Sequence, residues 1–139
     1  MPPRDPWELY DELGRPKNIF RNGVNIAYTY DDAGRLTLIT NGNGTKTVRV
    51  YDDANRLTQV RHEGPGAQLL TQIDYNWRLD NTIDSRTETD ATVQPQSVAT
   101  VTFEYDNRRR PRGVYPSQLR SKVRRHPAGQ RSASDSPNR

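Results

Sequence analysis

The imidazoles of His62 and His126 and the carboxylate pairs Asp31-Asp32 and Asp52-Asp53 are the side chains best suited to metal or acid–base chemistry in this sequence, which has no cysteine. A histidine metal site needs further His, Cys or carboxylate ligands at defined spacing. The two histidines stand in compositionally different regions without such partners, so His62 reads as a solvated strand-end residue, and no metal and no other cofactor is expected. The aspartate pairs occupy equivalent places in a repeated phrase and lack the closing Glu of an EF-hand, which makes them turn residues rather than general acids. Asn41-Gly42-Asn43-Gly44 is glycine-rich, yet it has neither the Lys-Ser/Thr ending nor the following helix of a phosphate-cradling loop and reads as a hairpin turn. Asn43-Gly44-Thr45 fits a glycosylation acceptor, which matters only in a secreted, glycosylating setting. No Gly-x-Ser-x-Gly element or Cys/His pair supports a nucleophile, so no catalytic site is expected.

The same conclusion follows from what the chain has available to build with. Its hydrophobic set is 31% of residues; with glycine added that is roughly 37%, under the ~45–50% of globular domains counted the same way. A conventional compact core is not expected, and without cysteine no disulfide framework replaces it. Apolar runs are only a few residues long, far short of the ~20 that cross a bilayer as a helix. The N-terminal Met1-Pro2-Pro3-Arg4-Asp5-Pro6 has no apolar h-region, so no export signal is read there.

What the sequence does contain is a recurring phrase. Tyr10-Asp11-Glu12-Leu13-Gly14-Arg15, Tyr30-Asp31-Asp32-Ala33-Gly34-Arg35-Leu36 and Tyr51-Asp52-Asp53-Ala54-Asn55-Arg56-Leu57 follow one another at intervals of about 20 residues. A further copy begins at Tyr105-Asp106, and Tyr75-Asn76-Trp77-Arg78-Leu79 resembles a shortened variant. The aspartate side chain can cap a turn, and Gly14, Gly34 and Asn55 are the residue types that tolerate positive φ. That combination predicts a β-hairpin with a type I turn and a bulge. Ile26, Tyr28 and Tyr30, and again Val101, Phe103 and Tyr105, alternate with polar residues as half-buried strands do. Segments 35–40 and 56–60 are the returning strands, and Asn41-Gly42-Asn43-Gly44 and Glu63-Gly64-Pro65-Gly66 are second turns. An isolated hairpin is marginal in water, so stacked units must cover each other's aromatic rows.

The phrase Tyr-Asp-x-x-Gly-Arg-Leu resembles the YD repeat of bacterial Rhs and wall-associated polymorphic toxin proteins and of teneurins. Residues 30–36 match it fully; 51–57 depart at Asn55, and 10–15 are followed by Pro16 instead of leucine. The resemblance, over residues 7–108, implies an all-β fold: a twisted antiparallel sheet of repeated hairpins, a segment of shell wall that in the whole protein encloses or presents a C-terminal toxin domain. Tyr10, Tyr30, Tyr51 and Tyr105 would pack the wall, Asp11, Asp31, Asp52 and Asp106 with Gly14, Gly34 and Asn55 would make its turns, and Arg15, Arg35 and Arg56, the latter two followed by Leu36 and Leu57, would start strands. The family's partners are neighbouring repeats, of a parent protein or of other copies, and a toxin cargo; its setting is secreted or at the cell surface. The motif that ends the family's shell is not found and no toxin domain follows, which reads as a fragment without a catalytic role of its own. A second reading places carbohydrate against Trp7 and Trp77.

The charge is unevenly divided. Residues 1–106 hold 11 Lys and Arg against 16 acids, whereas residues 107–139 hold 10 basic residues against Asp135 alone. The expected organisation is therefore a hairpin array over 1–106 and a disordered Arg/Pro/Ser-rich tail over 107–139, where Arg109 and Pro111 replace the glycine and leucine of the phrase. A lost reading frame near residues 108–111 would produce such a tail. The alternative is a basic arm, with Arg120, Lys122, Arg124 and Arg125, for polyanions; Tyr115 is its one stacking partner, which argues against specific nucleic-acid binding.

Overall fold

A computed structural model describes residues 7–116 of the chain. They form one ten-stranded antiparallel sheet in which every strand pairs with its sequence neighbours: β1 (Glu8–Tyr10), β2 (Pro16–Arg21), β3 (Val24–Tyr30), β4 (Leu36–Asn41), β5 (Lys46–Tyr51), β6 (Leu57–Glu63), β7 (Leu69–Trp77), β8 (Ile83–Asp90), β9 (Ser97–Tyr105) and β10 (Pro111–Pro116). The all-β expectation holds. Among the described residues no helix is long and apolar enough to cross a membrane.

The repeated phrases all lie at turns along one edge of the sheet. In the second copy, the amide of Asp31 donates to the Arg35 carbonyl (3.0 Å) and the amide of Gly34 donates to the Asp31 carbonyl (2.9 Å); the turns at 11–15, 52–56, 78–82 and 106–110 repeat both bonds. Each such turn needs a left-handed residue at its fourth position, filled by Gly14, Gly34, Asn55, Asn81 and Arg109 with φ between 59° and 80°. A register shift next to every one of them is the expected bulge. Turns at 41–45 and 64–68 on the opposite edge have the same backbone bonds. In the second of these the left-handed position falls on Ala67, not on a glycine of the Gly64-Pro65-Gly66 run.

Three expectations change. The array was expected to end at residue 106 with the tail beginning at 107, yet Asp106–Arg110 forms a full repeat turn and Pro111–Pro116 pairs with β9. Aspartate capping and backbone bonds suffice to close this turn, so Arg109 takes the position of glycine at a steric cost of order 1 kcal/mol. Pro111, which has no amide to donate, sits at the first residue of an outer strand where sheets tolerate proline. Second, the repeat position between Tyr51 and Tyr105 belongs to Trp77, not Tyr75, because the turn begins at Arg78. Third, Arg35 and Arg56 close turns, and the strands start one residue later at Leu36 and Leu57. Residues 117–139, with the Arg120–Arg125 cluster and His126, lie outside the described residues.

Cross-strand register sorts the side chains onto two faces. Ile26, Tyr28, Ile39, Val60 and Ile73 share one with Val101 and Phe103. The other face is polar near its centre, where Gln59 and Gln72 donate to Asp74 (2.8 and 2.7 Å) and the hydroxyls of Thr87 and Thr100 are bonded at 2.8 Å. With only one layer, no hydrophobic side chain among the described residues is fully buried. The expected absence of a compact core is thus a consequence of the architecture, and stability must come from the joints between hairpins.

Candidate functional site

Between successive hairpins the backbone ladder stops short of the repeat edge. Pairing between β2 and β3 ends at Asn18 and Ala27, between β4 and β5 at Leu38 and Val48, between β6 and β7 at Gln59 and Asp74, and between β8 and β9 at Ser85 and Thr102. In each case the repeat aromatic, Tyr30, Tyr51, Trp77 or Tyr105, lies three residues further on. Side chains complete the joint there. The hydroxyl of Tyr30 donates to the Pro16 carbonyl (2.9 Å), that of Tyr51 to the Leu36 carbonyl (2.9 Å), and the indole N–H of Trp77 to the Leu57 carbonyl (2.8 Å). These rings therefore need a polar tip as well as area, which explains why tryptophan substitutes for tyrosine in this row.

The motif arginine binds the joint from the other side. Arg15 lies over the ring of Tyr30 (4.4 Å to its centre), Arg35 over Tyr51 (5.0 Å), Arg56 over Trp77 (5.6 Å) and Arg78 over Tyr105 (5.2 Å). Nη1 of Arg35 also donates to the Asp52 carbonyl (3.1 Å) and to Asn55 Oδ1 (2.9 Å). Arg56 repeats this on the Arg78 carbonyl (3.1 Å) and Asn81 Oδ1 (3.0 Å). Each guanidinium thus spans from its own turn to the next one, and a planar fork on a ring suits this better than an ammonium. Asn55 is more than a tolerated substitute for glycine: its amide oxygen receives the arginine of the preceding repeat. That acceptor was not foreseen, although Asn at a glycine position one repeat after an arginine was the available signal.

The motif aspartate fixes the arginine. Asp31 Oδ1 accepts the Arg35 amide (2.8 Å) and Oδ2 accepts Arg35 Nε (2.6 Å); Asp11 with Arg15, Asp52 with Arg56 and Asp106 with Arg110 repeat the pair. The backbone amide of Arg35, and after it the guanidinium, hold the Asp31 carboxyl below the ordinary 3.8. The corresponding amides of Arg15, Arg56 and Arg110 do the same for Asp11, Asp52 and Asp106. One repeat departs from this plan. At 78–82 the arginine occupies the aspartate position, and Arg78 reaches Tyr105 from there while its Nη2 donates to the Phe103 carbonyl (2.7 Å). By sequence this repeat resembles a shortened variant; in the structure the arginine–aromatic contact survives in it from a different backbone position.

The remaining candidates are placed as follows. His62 Nδ1 lies 3.1 Å from the Thr47 hydroxyl across a strand pair, and no cluster of three potential metal ligands occurs among the described residues. Asp32 and Asp53 sit beside the capping aspartates in turns. Asn41–Thr45 is a hairpin turn in which Asn43 Oδ1 accepts the Thr45 amide (3.1 Å). Trp77 is engaged in the joint, whereas Trp7 is 63% exposed and borders a shallow hollow with Phe20, Arg21, Asn22 and Gly23.

A single meander whose hairpins are joined by an arginine–aromatic clasp is a repeat scaffold. The family described as RHS Repeat matches residues 10–46 and again 30–66. A crystal structure of TcdB2-TccC3-Cdc42 superposes with a TM-score of 0.64 at 20% identity, over 75% of this chain and 6% of that one. Another, of TcdB2-TccC3-TEV, gives 0.50 at 16% identity, over 71% of this chain and 7% of that one. The likeness to both is one of fold, and the chain spans less than a tenth of their length. No curated protein matches the sequence. Residues 10–66 are RHS, or YD, repeats.

Proposed function

We propose that this chain is a length of shell wall, structural and non-catalytic, which in a longer YD-repeat protein encloses or presents a C-terminal toxin domain. The observation behind this reading is the clasp: one arginine–aromatic contact recurs at four successive hairpin boundaries. The motif arginines, their aspartates and the repeat aromatics are engaged in the turns and joints that hold neighbouring hairpins together. A wall of this kind extends by adding identical joints, and a sheet without a core of its own gains from a long array. The setting would be that of the resembling families, secreted or at the cell surface.

The test is to express the chain in its flanking YD repeats with a folded reporter fused after them, and to follow digestion of the reporter by an added protease. Protection that is lost in an Arg35→Ala/Arg56→Ala double variant is the expected result. A reporter cut as fast as its free form, with the sheet signal intact in circular dichroism, would refute enclosure.

A further inference from the structure

We propose that the joint between β8 and β9 is a seam: the wall parts there locally, the β9–β10 hairpin swinging away at the repeat edge while the hairpins of β1 to β8 stay joined. The inference rests on the wall-segment reading and goes beyond it in giving one joint a moving role.

The clasp at this joint is incomplete. Tyr30, Tyr51 and Trp77 each donate to a carbonyl across their joint, that of the residue just after the preceding turn. The equivalent carbonyl for Tyr105 is that of Ile83, yet the Tyr105 hydroxyl makes no hydrogen bond among the described residues. Arg35 and Arg56 each place two bonds on the following turn, one of them on the amide oxygen of Asn55 or Asn81. On the turn that follows Arg78 this fourth position is filled by Arg109, which has no side-chain oxygen and carries the same charge. Arg109 Nε instead lies 4.0 Å from Asp80. Arg78 is also held less firmly than the motif arginines: its Nε is bonded to Asp84, 53% exposed, whereas Asp11, Asp31 and Asp52 are 21–24% exposed.

The opposite edge is built to hold and to bend. The β8–β9 ladder runs without a break from Ser85 and Thr102 to Asp90 and Ser97, reinforced by the bond between the Thr87 and Thr100 hydroxyls at 2.8 Å. Beyond it the connection 91–96 is the longest of those on that edge, where residues 22–23, 42–45 and 64–68 make the others. The first joint also lacks an amide oxygen, because Gly34 stands in that place. It keeps the Tyr30 bond and the hold of Asp11 on Arg15, and its two-residue link at 22–23 leaves little room to swing. Between β9 and β10 the pairing continues from Tyr105 and Pro111 to Val101 and Pro116, so the hairpin moves as a unit. Opening at the repeat edge then costs the thinned clasp and the nearest rungs, and the far rungs act as the hinge.

Two buried residues of β8 report such a motion. Ser85 and Thr89 are 8% and 9% exposed and lie on the same face of the strand. Ser85 is opposite Thr102 at the mouth of the seam, and Thr89 is opposite Val98 near the hinge. The experiment uses the full chain, which has no cysteine. Ser85→Cys and Thr89→Cys variants are treated with excess iodoacetamide, which alkylates a thiolate only when it is accessible, and circular dichroism follows the sheet. Ser85→Cys is expected to react about tenfold faster than Thr89→Cys. Adding Arg109→Asn supplies the missing oxygen at a φ of 59° that asparagine tolerates and removes the like charge. It should slow the labelling of Ser85→Cys by about tenfold, the effect of roughly one hydrogen bond to a charged group, and leave Thr89→Cys unchanged. Hydrogen exchange on the unsubstituted chain keeps the test independent of the thiols: segments 85–87 and 100–102 should exchange ahead of 59–61 and 72–74, which pair across the complete joint between β6 and β7. Equal labelling of the two thiols with an intact sheet, a Ser85→Cys rate that Arg109→Asn does not change, or equal exchange at the two joints would overturn the seam and leave the wall-segment reading standing. Absence of a sheet signal in the unsubstituted chain would instead count against the wall segment, and the seam would fall with it.

Discussion

Replacing Tyr51 by phenylalanine removes a single oxygen and isolates the part of the clasp that the backbone ladder lacks. The ring stays, so the contact with Arg35 at 5.0 Å is kept. What disappears is the 2.9 Å bond to the Leu36 carbonyl, at a point where β4 and β5 no longer pair through their backbones. A net intramolecular hydrogen bond contributes about 0.5–1.5 kcal/mol, and leaving a buried carbonyl without a donor costs about 1–3. Both groups are half-buried, so water recovers part of the loss and the expected destabilisation is about 1 kcal/mol. With a urea dependence of ~1–2 kcal/mol/M for a protein of this size, the unfolding midpoint should fall by about 0.5–1 M at constant slope. Tyr28→Phe, in β3, is the control, since that hydroxyl makes no hydrogen bond among the described residues. Equal midpoints for the two variants would refute the claim that the hydroxyl substitutes for the missing ladder; so would a loss for Tyr28→Phe as large as for Tyr51→Phe.

Asn55→Gly should cost only the acceptor for Arg35, about 0.5–1.5 kcal/mol by denaturation, whereas Asn55→Ala adds the left-handed penalty of about 1–2 kcal/mol; if glycine is no better than alanine, backbone conformation is not what the position selects. Conversely, Gly34→Asn gives Arg15 an oxygen at a φ of 80° that asparagine tolerates, and it should be neutral or stabilising where Gly34→Ala is destabilising. For acid sensitivity, the folded-state carboxyls of Asp11, Asp31, Asp52 and Asp106 are depressed, chiefly by the backbone amides they accept. Their contribution is fully present above the unfolded value of 3.8 and is lost as pH falls through the lower folded values. Thermal unfolding followed from pH 7 downward should therefore stay level until about pH 4–5 and then decline, and the decline should be shallower in Asp31→Asn. A variant that declines as steeply as the wild type would show that these aspartates do not govern the acid limb.

Much of this architecture was legible in the residues themselves. A turn that needs a capping aspartate and a left-handed fourth residue restricts sequence strongly, so the phrases at 10–15, 30–36 and 51–57 disclosed both the turns and the strand period. The same local logic misjudged residues 107–116, because a turn can close on backbone and aspartate bonds even when its fourth residue is an arginine, and no composition average reports that. It also missed Trp77, which lies out of step by sequence counting and in step once β6 and β7 are paired. The clasp itself belongs to tertiary structure: Arg35 and Asn55 are twenty residues apart in sequence and 2.9 Å apart in space, and only the register between neighbouring hairpins brings them together. Sequence alone determined that these were hairpins in series, since turn chemistry is local; which side chains lock one hairpin to the next was decided by the fold, where pairing stops short and leaves a gap that only a polar-tipped ring and a guanidinium fill.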